Sequence, residues 1–214
     1  GKGAAYTVYD PMNRPVLSQD SNMHGSNKWV YVKYDVKGRA ISTGTYTDGT
    51  NTTRAAMQTA VNNLASSYNA TWYESRTTTV TFSNYYTNSV FPTSNTAPLT
   101  FAYFDDYDVD SNGSADFTYA TQGLTGEGTQ TTASVKGMPT IVTNQTVGSG
   151  ITVGTWLSKV IFYDKRLNPI QTQSNNHLYY TGIFVLTDRS TIVPDFAGVP
   201  QITFVTKKTA SATT

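Results

Sequence analysis

The 214-residue sequence contains no cysteine, two glutamates and two histidines, and charged residues make up only 14% of it. Without cysteine there is no disulfide, no thiolate metal site and no thiol nucleophile. No apolar run approaches the roughly 18 residues that a membrane-crossing helix needs, so membrane insertion is not expected. The formal net charge is +1 and the lysines and arginines are not clustered. The basic footprint of a nucleic-acid or anionic-membrane surface is therefore missing. No leader-like pattern opens the chain at Gly1, and a lack of cysteine suits a secreted or a cytosolic protein alike.

What the sequence has instead is threonine, at 37 residues, and 27 aromatics, of which 15 are tyrosine. Both types fit a pleated, half-buried surface, whereas the helix-favouring residues Glu, Lys and Leu are scarce. The expected fold is mainly β.

Three segments repeat one pattern. Tyr9-Asp10 is followed by Asn13, Arg14, Pro15 and Val16; Tyr34-Asp35 by Gly38, Arg39, Ala40 and Ile41; Tyr163-Asp164 by Leu167, Asn168, Pro169 and Ile170. A degenerate fourth copy begins at Asp195, with Gly198 three residues on. Residues of alternating polarity precede each aspartate of the three copies, as in a strand: Trp29, Tyr31 and Lys33 share one phase, Val30, Val32 and Tyr34 the other. The aspartate opens a turn, because its carboxylate accepts from a backbone N–H two residues on. Asn13 and Gly38 tolerate the left-handed backbone that a short hairpin loop needs; Leu167 does not, so a different turn is expected there. Each copy reads as one antiparallel β-hairpin. The Tyr of each pair is expected to pack on the next hairpin, and Arg14 and Arg39 to pair with a neighbouring aspartate.

YDPMNRPV, YDVKGRAI and YDKRLNPI resemble the repeats of the bacterial RHS/YD-repeat family. So do the ordered landmarks KWVYVKYDVKGRAISTGTYTD, YYTNSVFP, FDDYD, GLTGEGTQ and WLSKVIFYDKRLNPIQTQSNNH. The resemblance implies antiparallel hairpin repeats forming a curved or twisted sheet. It also implies a non-catalytic, wall-forming role in a secreted or cell-surface bacterial protein. The partners it implies are neighbouring repeats of the same chain, an enclosed toxin domain or surface glycans. The alternative is a carbohydrate-binding β module with exposed aromatics. Asp10 and Asp35 are 25 residues apart but Asp35 and Asp164 are 129 apart, so a long insert interrupts the array. The expected organisation is hairpins over 1–48, an insert over 49–158, hairpins over 159–206 and a frayed tail at 207–214.

Within the insert, Met57, Ala60, Val61, Leu64, Ala65 and Tyr68 recur at helical spacing after a Thr52 or Thr53 cap. They predict one amphipathic helix over about 53–68. Tyr73–Phe82, Leu99–Tyr103, a turn and strand over Ser149–Trp156, and Ile202–Thr206 read as strands, with Pro92 and Pro98 bracketing a loop.

Few residues offer chemistry. Asp108, Asp110, Asn112 and Asp116, with Gly113 in the sixth place, match the first half of a calcium loop. Position twelve is Tyr119 rather than glutamate, so the choice lies between a structural calcium site and a plain polar turn. His24 and His177 fall in loop-like stretches. No nucleophile elbow, zinc-protease motif or phosphate loop is present, and Glu74 and Glu127 belong to distant segments, so no catalytic residue and no organic cofactor is expected. Trp29, Trp72 and Trp156 read as packing residues first and a sugar platform second.

Overall fold

The computed structural model describes residues 3–67, 72–79, 84–130, 135–147, 154–178 and 180–208. Ten strands and two helices follow one another: β1 (Tyr6–Tyr9), β2 (Pro15–Gln19), α1 (Ser21–His24), β3 (Lys28–Tyr34), β4 (Ala40–Thr47), α2 (Arg54–Ser67), β5 (Thr96–Asp105), β6 (Val135–Gln145), β7 (Trp156–Tyr163), β8 (Pro169–Ser174), β9 (Asp188–Pro194) and β10 (Pro200–Thr206). All ten strands join one antiparallel sheet whose spatial order is their chain order. The residues between the second and third hairpins thus supply β5 and β6 to the same sheet rather than a separate layer.

The chain divides into two compact units, 1–101 with 110–112, and 102–109 with 113–214. In the first, alternation puts Trp29, Tyr31 and Lys33 on the buried phase of β3. Trp29 and Tyr31 join Val8, Val16, Leu17, Tyr46, Met57 and Val61 in one core, with Tyr6, Tyr34 and Phe91 against it. Helix α2 starts where the cap was expected: Ala56 N–H donates to Thr53 Oγ1 at 3.2 Å. Its Met57 and Val61 are buried, while Tyr68 lies outside the described residues. Gly44 marks where β4 and β5 approach too closely for any side chain, since a Cβ there would lie 2.4 Å from the Ala97 carbonyl oxygen.

In the second unit, Ile141, Val160, Phe162, Ile170 and Val193 are buried. Tyr107 stacks on Phe162 at 4.8 Å and Tyr119 meets the same ring edge-on at 6.0 Å. The loop carrying Tyr119 is tied to β8 by amides, with Gln171 bonded to both the N–H and the carbonyl of Ala120.

Some expectations need correction. Residues 73–79 form no strand; they make a single bridge, Arg76 to Tyr86, and are held instead by the buried carboxylate of Glu74. Residues 80–83 and 149–153 lie outside the described residues. Pro98 does not bracket a loop but sits inside β5, at a register shift against β4. Residues 21–24, read as loop, form a single helical turn capped by Asp20, which accepts from the N–H groups of Asn22 and Met23.

Candidate functional site

The repeated aspartates build one turn four times. In each, the aspartate N–H donates to the carbonyl four residues on: Asp10 to Arg14 at 3.0 Å, Asp35 to Arg39 at 3.0 Å, Asp164 to Asn168 at 3.0 Å, Asp195 to Val199 at 2.8 Å. The residue three on returns a bond to the aspartate carbonyl, at 2.8, 2.9, 3.0 and 3.0 Å in turn. That third residue is left-handed every time: Asn13 at φ 60°, Gly38 at 77°, Leu167 at 63° and Gly198 at 84°. A register shift follows in each hairpin. This is a short loop closed by a left-handed bulge residue.

The carboxylate is the clamp. Oδ1 accepts from the backbone N–H four residues on at Arg14, Arg39, Asn168 and Val199. In the last three copies it also accepts from the N–H two residues on. Oδ2 takes a side chain: Arg14 Nε at 2.8 Å, Arg39 Nε at 2.7 Å, Asn168 Nδ2 at 3.1 Å. Burial opposes ionisation of Asp164, but the bonds from Asn168 and Arg166 outweigh it and hold the carboxyl below its usual range.

Two expectations about these turns change. Leu167 does not produce a different turn; it occupies the same left-handed slot, because the bonds to Asp164 fix the backbone around it. The neighbouring aspartate with which Arg14 and Arg39 pair is that of their own turn, four residues before. Arg14 then reaches further, lying 4.5 Å above the Tyr34 ring and donating to the Trp72 carbonyl. Nor do the tyrosines all face the next hairpin. Tyr34 and Tyr163 donate backward, to the Pro15 and Pro139 carbonyls at 2.7 Å each, and Tyr9 is exposed. The fourth copy has Pro194 in the tyrosine position, so the turn depends on the aspartate alone.

The sheet's two outermost strands differ in what meets them. On β1, Gln58 of α2 imitates a partner strand: its Oε1 accepts from Tyr9 N–H at 3.1 Å and its Nε2 donates to the Tyr9 carbonyl at 2.7 Å. Arg54 Nε adds a bond to the Thr7 carbonyl. On β10 all seven residues are exposed, including Ile202, Phe204 and Val205, and among the described residues no strand follows it in the sheet order.

The candidate metal loop closes on itself. One carboxylate oxygen each of Asp108, Asp110 and Asp116 lie within 4.8 Å of one another. Asp108 Oδ2 accepts from Gly113 N–H, Asp116 Oδ2 from Val109 N–H, and Asp110 from both the backbone and side-chain amides of Asn112. The acids converge as the spacing implies, while Asn112 turns its NH₂ inward as a donor.

The other candidates are engaged in packing or lie exposed. His24 and His177 are exposed, with His24 Nδ1 3.0 Å from Gln19 Oε1. Trp29 is fully buried; Trp72 and Trp156 are half-buried. Glu127 binds the Tyr119 hydroxyl and the N–H groups of Gln122 and Leu124. Glu74 sits in a network that sequence reasoning missed. Its carboxylate, 1% exposed, meets Lys33 Nζ at 2.8 Å. The signal was available: a lysine on the phase of Trp29 and Tyr31 is a buried charge, which needs a buried partner. No family model, curated protein or solved structure matches this chain.

Proposed function

We propose that this chain is a non-catalytic wall segment, a run of hairpins whose task is to extend a β-sheet. The observation that carries this reading is one carboxylate-clamped turn used four times in a sheet of strictly sequential order. Its first edge is blunted by Gln58 and Arg54, and β10, the last strand among the described residues, is exposed along its length. An exposed strand with apolar residues on both faces is a template for another strand, and in repeat architectures each unit contacts only its neighbours and an end lacks a partner unless a polar cap covers it. The partner that fits β10 is a further hairpin of the same repeat type. With the RHS/YD resemblance, the wider reading is a secreted or cell-surface bacterial protein whose wall surrounds a cargo such as a toxin domain. Carbohydrate binding is the second reading, drawing on the exposed rings of Tyr180, Phe196 and Phe204.

The test is hydrogen exchange with sedimentation. At low concentration β10 amides exchange fastest of the strands, while Tyr9 is protected. At high concentration the chain self-associates and β10 becomes protected. The double substitution Ile202→Lys with Phe204→Lys abolishes association. Protection of β10 in a monomer equal to that of β8 overturns the reading. So does saturable binding on a glycan array that Phe196→Ala removes, which transfers the case to the carbohydrate module.

A further inference from the structure

The buried network around Lys33 has the composition and geometry of a self-acylating site. Lys33 Nζ is held by two groups at once, Glu74 Oε1 at 2.8 Å and Asn88 Oδ1 at 2.5 Å. The amide of Asn88 is oriented, because its Nδ2 donates to the Thr93 carbonyl at 2.8 Å and a carbonyl can only accept. Oδ1 therefore faces the lysine. A carbonyl bond is about 1.2 Å long, so Nζ lies no farther than about 3.7 Å from Asn88 Cγ, close to the roughly 3–3.5 Å of a near-attack arrangement. Glu74 is fixed in turn: it accepts from Thr87 Oγ1 at 2.6 Å and from the N–H groups of Ser89 and Val90 at 2.9 Å each. Its own N–H donates to the Tyr34 carbonyl. The lysine and glutamate side chains are 5% and 1% exposed, so both charges sit out of water.

We propose that Lys33 and Asn88 condense spontaneously into an intrachain amide cross-link, with Glu74 as the proton shuttle. The Lys33 ammonium passes one proton to Glu74, which neutralises a charge pair where charge is costly. The freed lone pair attacks Asn88 Cγ. The Nζ–Cγ bond forms and the Cγ–Nδ2 bond breaks. Nδ2 departs as ammonium, carrying the two protons shed by Nζ, and Glu74 returns to the carboxylate. Nothing is oxidised or reduced and no co-reactant is needed. Desolvation favours the first step by lowering the lysine's affinity for its proton, against the opposing pull of the Glu74 charge. The product would staple β3 to the segment 84–95 across 55 residues of chain, a covalent tie in a protein that has no cysteine with which to make a disulfide. This chemistry stands or falls independently of the wall-segment reading.

Intact-mass spectrometry of the folded chain, followed by tryptic mapping, tests it. The expected result is a mass lower than the sequence by one ammonia, about 17 Da, and a branched peptide joining the Lys33 and Asn88 segments with cleavage blocked at Lys33. Lys33→Arg, which keeps the charge opposite Glu74, and Asn88→Ala each restore full mass for their sequence. Glu74→Gln slows linkage, read as the unlinked fraction over time at mildly alkaline pH. An unmodified mass after prolonged incubation of the folded wild type overturns the proposal. So does an ammonia loss that persists in Lys33→Arg without a branched peptide, since that is a cyclic imide at Asn88.

Discussion

Removing the clamp from the best-furnished turn tests the logic of the whole array. At Asp35, Oδ1 accepts from Lys37 and Arg39 N–H at 2.9 and 2.8 Å, and Oδ2 meets Arg39 Nε and Nη2 at 2.7 and 2.6 Å. The residue is 8% exposed. Asp35→Ala strips two backbone donors of their charged acceptor and Arg39 of its anion. Hydrogen bonds to charged groups are worth about 1.5–3 kcal/mol each, and partial rehydration of a surface turn recovers some of that, giving a net loss of about 3 kcal/mol. Asp35→Asn keeps an oxygen for the two N–H groups and gives up only an ion pair whose arginine is 23% exposed, a loss of about 1 kcal/mol. The assay is urea unfolding followed by tryptophan fluorescence. With m near 1–3 kcal/mol/M, the alanine variant's midpoint falls by about 1–3 M, with the asparagine variant between it and wild type. If both variants stay within about 0.5 kcal/mol of wild type, or if asparagine is as damaging as alanine, the carboxylate is not what holds the turn.

Three further outcomes follow from the same geometry. Leu167→Gly stabilises by about 1 kcal/mol by relieving a left-handed leucine, while Gly38→Ala destabilises by about as much, because a Cβ there meets only Arg14 Nη1 at 3.9 Å and the cost is torsional; thermal melts of the two variants decide it. Asp48 is kept ionised down to about 2, despite burial, by bonds from Asn51, Tyr46 and Thr50. Because this folded value lies below the unfolded one, its stabilisation is complete above about pH 4 and disappears as pH falls through the folded value. Asp48→Asn therefore flattens the acid limb of a stability-against-pH curve and leaves it unchanged if the site is silent. Gln58→Leu removes the imitation strand beside Tyr9, costs about 1–2 kcal/mol, and speeds exchange of the Tyr9 amide; unchanged exchange would show that α2 does not guard that edge.

The hairpins were legible because a turn is a local object. Aspartate, a left-handed residue three on and flanking alternation fit within about ten residues, and even the degenerate copy at Asp195 obeys the rule. Helix α2 was legible for the same reason, from Thr53 and the Met57–Val61 stripe. Strand β6 was not, since Gly137, at φ 87°, and Pro139 break its early alternation. Residues 73–79 misled in the opposite sense: they alternate, but they are organised by the single buried carboxylate of Glu74 rather than by a ladder. Long-range polar networks leave no periodic trace. The mark this one left was an ill-placed lysine, and its partner lies 41 residues away.

Because every strand touches only those made just before and just after it, the molecule has an intrinsic direction of assembly. Each hairpin, once it emerges during synthesis, finds the ladder edge of the preceding strand already made, while the helix beside β1 and the carboxylate that buries Lys33 are added afterwards. The same arrangement fixes how it comes apart under tension: pulled from one edge, it peels one ribbon at a time, each step resisted by a single row of backbone bonds.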